Sequence, residues 1–158
     1  MLFCTGPVNP DVIPLKQMPN PPQQESHGDP NGMETLAKRC SRSIAEHISY
    51  RPGAKPSLLQ GIDRGIFHLA AFWSGPAIRA FSAIGKTIED IDHSKALTFI
   101  VADIDGSHAF SEIPDFGAVM GGWGETAWVR SGKIVFQTGK SWTEEQFREY
   151  TAKLIDMD

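Results

Sequence analysis

Gly65-Ile66-Phe67-His68-Leu69-Ala70-Ala71-Phe72-Trp73-Ser74-Gly75-Pro76-Ala77-Ile78-Arg79-Ala80-Phe81 is the stretch on which the fold turns. Its first half is an apolar run interrupted by one histidine, the pattern of a strand buried on both faces. Ser74 is suited to cap a helix, and Pro76 fits a first turn, where a missing N–H leaves nothing unpaired. From Ala77 the pattern turns helical: Ile78, Phe81, Ile84, Ile88 and Ile91 recur at spacings of three and four. A central strand, a tight turn and a helix whose N-terminus faces the surroundings of Trp73 and Ser74 are therefore expected.

Downstream, Asp90-Ile91-Asp92-His93-Ser94-Lys95 ends this helix, and Ala96 to Asp105 reads as a second strand, rich in β-branched and aromatic residues. Two strands joined through a helix make a parallel βαβ unit. Gly106 to Asp115 reads as a loop with one helical turn, and Phe116 to Gly124 carries Gly117, Gly121, Gly122 and Gly124, a backbone bent or closely approached. Glu125 to Arg130 and Lys133 to Gln137 flank Ser131-Gly132, the signature of a β-hairpin. Gly139 breaks the second of these strands. Ser141 or Thr143 caps a last helix with Glu144, Glu145 and Gln146 in its first turn and Phe147, Tyr150 and Leu154 on one face.

Upstream, residues 1–32 hold Pro7, Pro10, Pro14, Pro19, Pro21, Pro22 and Pro30 of the chain's 11 prolines. A polar, proline-dense segment builds no core, and a flexible or extended tail is expected there. Met33 to Ser49 reads as one amphipathic helix with Leu36, Cys40, Ile44, His47 and Ile48 on its apolar stripe. Tyr50 to Pro56 is a breaker cluster and reads as a loop, and Ser57 to Ile62 fits either a short edge strand or a turn of helix. The division expected is a tail over 1–32, a helix and loop over 33–56, and one α/β domain over 57–158.

Trp73-Ser74-Gly75-Pro76-Ala77 resembles the Trp-Cys-Gly-Pro-Cys active-site turn of the thioredoxin family, in the same strand-to-helix position. The resemblance continues through the acidic end of the second strand (Asp103-Ile104-Asp105), Phe116-Gly117, the Arg130-Ser131-Gly132 turn and Gly139. It implies a three-layer α/β/α fold with a mixed central sheet, behind an N-terminal extension. It also implies that Ser74 stands at the nucleophilic cysteine and Ala77 at the resolving one. The family's buried acid falls on His68, its partner lysine on Val101, its cis-proline near Gly124, and the proline that kinks its long helix on Ser82. A thioredoxin reaction needs a thiolate stabilised at the helix N-terminus and a second thiol to resolve the mixed disulfide. A serine hydroxyl supplies neither, so dithiol oxidoreductase activity is not expected.

With 41% apolar and 22% charged residues the chain can build one core. A net charge of −4 argues against nucleic-acid and anionic-membrane partners, and no apolar run is long enough to span a bilayer. The start Met1-Leu2-Phe3-Cys4 lacks the basic and apolar regions of a secretory signal. A cytoplasmic protein with Cys4 and Cys40 as free thiols is expected. The five histidines are dispersed, and neither a metal nor a cofactor is expected.

Two enzymatic alternatives stand beside this. Phe99-Ile100-Val101-Ala102-Asp103-Ile104-Asp105-Gly106-Ser107 resembles the nucleophile motif of the haloacid-dehalogenase-type phosphatases, which implies Asp103 as nucleophile and Asp105 as acid/base near Mg²⁺. The chain ends too soon for the further strands that complete such a site, and a solvated strand end is the plainer reading. An EF-hand counted from Asp103 fails at its twelfth position, Pro114. A one-thiol activity through Cys40 is the other alternative. His68 as a base for Ser74 is disfavoured, since six residues of strand span roughly 20 Å. The expectation is a redox-inactive thioredoxin-like domain serving as a chaperone-like or protein- and peptide-binding module. Its groove is expected beside Trp73, Ser74, Gly75, Pro76, Trp123 and Gly124, with His68 as a buried polar residue.

Overall fold

A computed structural model describes residues 27–117 and 119–158. The proline-rich stretch up to residue 26, and Cys4 with it, lies outside the described residues. In chain order the elements are α1 (Gly32–Ala37), α2 (Arg42–His47), β1 (Ile48–Arg51), β2 (Arg64–Ala70), α3 (Gly75–Ile91), β3 (Thr98–Asp103), α4 (Pro114–Gly117), β4 (Thr126–Arg130), β5 (Lys133–Thr138) and α5 (Glu144–Asp156).

The strands form one mixed sheet in the order β1-β3-β2-β4-β5. β2 is its middle strand, parallel to β3 and antiparallel to β4. That position explains its composition, because every residue from Gly65 to Ala70 is buried. Side chains of β2 alternate between two cores. Ile66 and Ala70 join Phe81, Ile84 and Ile88 of α3 and Phe147 and Leu154 of α5 on one face. Phe67 and Leu69 join Leu59, Phe110 and Phe116 on the other. This second face is covered by α4 and by short 3₁₀ turns at Pro56–Gly61 and His108–Glu112. The layering is α/β/α, as expected, with a thin third layer. Of the strand and the helical turn that both fit Ser57 to Ile62, the turn is the one that forms.

Two expectations are corrected. The single helix over Met33–Ser49 is broken into α1 and α2, with Ser41 capping α2 by accepting from Ile44 N–H at 3.2 Å. Ile48 to Arg51 then leave the helix altogether and pair in parallel with Phe99 to Ala102. The spacing of Ile44, His47 and Ile48 mimics a helix, but a free edge on β3 offers backbone partners that the periodicity does not register. The sheet thus begins before residue 57, and Tyr50 and Arg51 belong to a strand.

The central helix follows the sequence closely. Ser74 caps it by accepting from Ala77 N–H at 3.4 Å, and Pro76 lies in its first turn. Phe81, Ile84 and Ile88 are buried, while Ile78 and Ile91 at the ends are half-buried. α5 starts on a reciprocal capping box between Thr143 and Gln146, the second of the two caps expected.

Candidate binding site at the start of the long helix

Trp73 leaves β2 with 64% of its surface exposed, an unusual state for the largest side chain. Two contacts fix it. Its indole Nε1–H donates to the Asp105 carboxylate, 3.1 Å from Oδ2 and 3.3 Å from Oδ1. Its ring lies over Gly122, where a Cβ would come within 2.4 Å of it. Trp73 also lines one wall of an open groove of about 310 Å³ with Ile104, Asp105, His108, Met120 and Gly121.

Ser74, next in the chain, faces away from solvent. Its hydroxyl donates to Gly122 C=O at 2.6 Å while it caps α3, and 8% of it is exposed. The glycine-rich loop expected to frame the site therefore folds onto Ser74. Gly124 closes the contact: its φ is +83°, and a Cβ there would lie 2.5 Å from Ala80 Cβ and 3.2 Å from Ala77 Cα. Ala77 is buried between this loop and Ala71 and Ile104. Gly75 stays exposed and Pro76 half-exposed on the first turn. Trp123 is half-buried under the Lys140 ammonium, 5.2 Å from its ring centroid, and does not line the Trp73 groove. Of the six residues expected at one groove, Trp73 alone lines the open space, while Ser74 and Gly124 are buried where the loop meets α3.

Glu125 is the residue that sequence reasoning passed over. It is fully buried, and its Oε1 accepts from Gly121 N–H at 2.7 Å and Trp123 N–H at 3.2 Å. Its Oε2 has no partner, a costly state that marks how strongly the loop is held at this one carboxylate. The available signal was a charged residue placed at the start of an otherwise apolar strand.

His68 is fully buried on the α3 side of β2, 5.9 Å from the Phe81 ring. The Thr126 hydroxyl donates to Gly124 C=O at 2.9 Å, so its oxygen accepts from His68 Nδ1–H at 2.8 Å. Nε2 has no partner. Burial pulls the imidazole down to about 3, so it is neutral at ordinary pH. Its hydrogen bond goes to Thr126, while the Ser74 hydroxyl donates to Gly122 C=O, so His68 is not a base for Ser74.

Asp103 is not a solvated strand end; 2% of it is exposed. Oδ1 accepts from Asp105 N–H at 2.9 Å and Oδ2 from Asp29 N–H at 2.7 Å. Burial pushes its carboxyl up, against the pull of these two bonds. Both oxygens organise the turn and the incoming chain at Gly28 and Asp29, and neither is offered to a phosphoryl group. Cys40 Sγ–H donates to Leu36 C=O at 3.4 Å, and burial followed by the charge of Glu89 raises its thiol, the opposite of activation. Trp128 is fully buried and donates from Nε1–H to Thr151 Oγ1 at 3.0 Å. Among the described residues no cluster of His, Cys, Asp or Glu is placed to hold a metal ion, and no helix is long and apolar enough to cross a membrane.

No protein-family model matches this chain, and no curated protein matches it in sequence. Its fold is similar to that of desulfothioredoxin from Desulfovibrio vulgaris Hildenborough in its reduced form, with TM-score 0.50 and 10% identity over 67% of this chain and 95% of that one. It is likewise similar to a point-mutant thioredoxin from Halobacterium salinarum, with TM-score 0.51 and 12% identity over 72% of this chain and 95% of that one. At such identities the likeness shows the fold: the chain has a thioredoxin-like α/β fold.

Proposed function

We propose that this thioredoxin-like chain is a binding module rather than a dithiol oxidoreductase, and that it receives an extended peptide segment of another protein in the groove beside Trp73. The observation that carries this reading is the state of Trp73. It is 64% exposed, braced from behind by Asp105 and Gly122, and set on the wall of an open groove. A rigid, amphipathic ring held out to solvent is a frequent anchor of protein interfaces. Ser74 supports the second half: where the redox chemistry needs a thiolate, a hydroxyl is committed to Gly122 C=O and to the helix cap.

Two measurements test this. Insulin reduction driven by dithiothreitol should proceed no faster with the protein than without it, and catalysis would overturn the redox-inactive reading. Capture of a partner from the native cell extract should be lost in Trp73→Ala and kept in Trp123→Ala, which lies off the groove. Equal capture by wild type and Trp73→Ala would remove the groove from the account.

A further inference from the structure

A second groove, of about 370 Å³, lies on the outer side of α3, and its character differs from that of the Trp73 groove. Arg79 and Lys86 come from α3, Arg39 from the turn after α1, and Trp142 from the turn before α5. Ile78 lies in the groove floor, and Ser82 ties two walls together, its hydroxyl donating to Arg39 C=O at 3.2 Å. Trp142 is set in place by stacking on Phe147, with ring centroids 5.0 Å apart. The ring and the isoleucine are both half-buried.

The charges are what make this surface unusual. The chain carries a net −4, yet here three exposed cations line one groove with a single acid, Glu144. Arg39, Arg79 and Lys86 make no ion pair among the described residues, although other cations do: Arg42 with Glu46, Arg130 with Asp63, Arg148 with Asp90 and Lys153 with Glu149. Arg79 also packs over the first turn of α3, where the helix dipole disfavours a cation. Folding alone gains nothing from holding like charges together with no ion pair to offset them.

We propose that this groove docks an acidic segment of a partner protein, its carboxylates meeting Arg39, Arg79 and Lys86 and an apolar side chain resting on Ile78 and Trp142. Charge complementarity selects the partner, and the half-buried apolar floor gives the segment a place to anchor. The surface is separate from the Trp73 groove, so neither reading depends on the other.

Fluorescence anisotropy with a short fluorescein-labelled peptide of alternating Glu and Leu tests the proposal, with the matching Gln/Leu peptide as comparator. The wild type should bind the Glu/Leu peptide, more weakly as salt rises, and should bind the Gln/Leu peptide at least about tenfold less tightly. The charge reversal Arg79→Glu with Lys86→Glu should weaken binding about tenfold, and the neutral Arg79→Gln with Lys86→Gln by less. Lys133→Glu, an exposed cation on β5, should leave affinity within about twofold. All of these substitutions alter exposed side chains, and unchanged thermal midpoints would show that folding is intact. No binding of the Glu/Leu peptide, equal binding of both peptides, or indifference to the charge reversal overturns the proposal. Displacement of the peptide by millimolar inorganic phosphate also overturns it, in favour of phosphate recognition.

Discussion

Gly124 shows how much a single backbone position decides. At φ +83° a side chain is strained, and Ala80 Cβ would sit 2.5 Å from the added atom. Gly124→Ala should therefore cost about 3 kcal/mol, from left-handed strain together with overpacking against α3, read as a lowered urea midpoint. His68 makes a pH prediction of definite sign. Its imidazole titrates at the ordinary 6.5 in the unfolded chain and at about 3 in the fold, so between these values the unfolded state holds the extra proton. Stability should fall as pH drops through that window, by about 1.4 kcal/mol per unit once the unfolded imidazole is charged. Urea titrations at about pH 7 and about pH 5 should show the fall, and His68→Leu should flatten it. An unchanged slope in the variant would assign the acid sensitivity to other groups. His68 was legible in the sequence as a buried histidine. Its bond to Thr126 was not, because that contact crosses 58 residues of chain.

The elements were legible wherever a local signal starts or stops them. The cap at Ser74, the stripe of α3, the Ser131-Gly132 turn with φ of 49° and 75°, and the box at Thr143 are all written within a few residues. β1 was not, since four residues with no alternation become a strand through pairing with β3. The stop of α3 is a further case. Asp92 is buried, and its two carboxylate oxygens accept from Ala96 N–H and Leu97 N–H, both at 2.9 Å, carrying the chain through Lys95 at φ 54° into β3. Asp92→Ala leaves the buried Leu97 amide unpaired and should cost about 2–3 kcal/mol in urea unfolding. Thr143→Ala removes only an exposed cap and should cost about 1 kcal/mol. Equal losses in the two variants would mean that the Asp92 turn is solvated in practice.

Across the whole molecule, β2 and β3 bind the two cores together, since each strand sends alternate side chains into both. Loss of packing on one face must therefore disturb the other. Phe67 stacks on Phe110 at 4.8 Å and meets Phe116 edge-on at 6.0 Å, in the core away from α3. Phe67→Ala should cost about 3–5 kcal/mol. Fluorescence of Trp128 in the opposite core, read in a background with Trp73, Trp123 and Trp142 replaced by Phe, should shift to the same lower midpoint as far-UV circular dichroism. Separate midpoints would show that the two faces unfold independently.

The amino-acid sequence by itself determined the backbone plan: a doubly buried strand, a capped helix, a parallel strand, a hairpin and a last helix. These are signalled by periodicity and caps, which act between near neighbours in the chain. Local spacing also placed Trp73 beside the helix start, with Ser74 and Ala77 where the resemblance puts thiols. Only the tertiary structure decided which surfaces stay open. Ser74 meets Gly122 across 48 residues, Asp29 meets Asp103 across 74, and Ser82 meets Arg39 across 43. Such contacts leave no trace in local spacing, because each partner's own neighbourhood is satisfied without the other. They close the expected groove over Ser74, leave Trp73 outside it, and bring Arg39 from the turn after α1 beside Arg79 and Lys86 of α3.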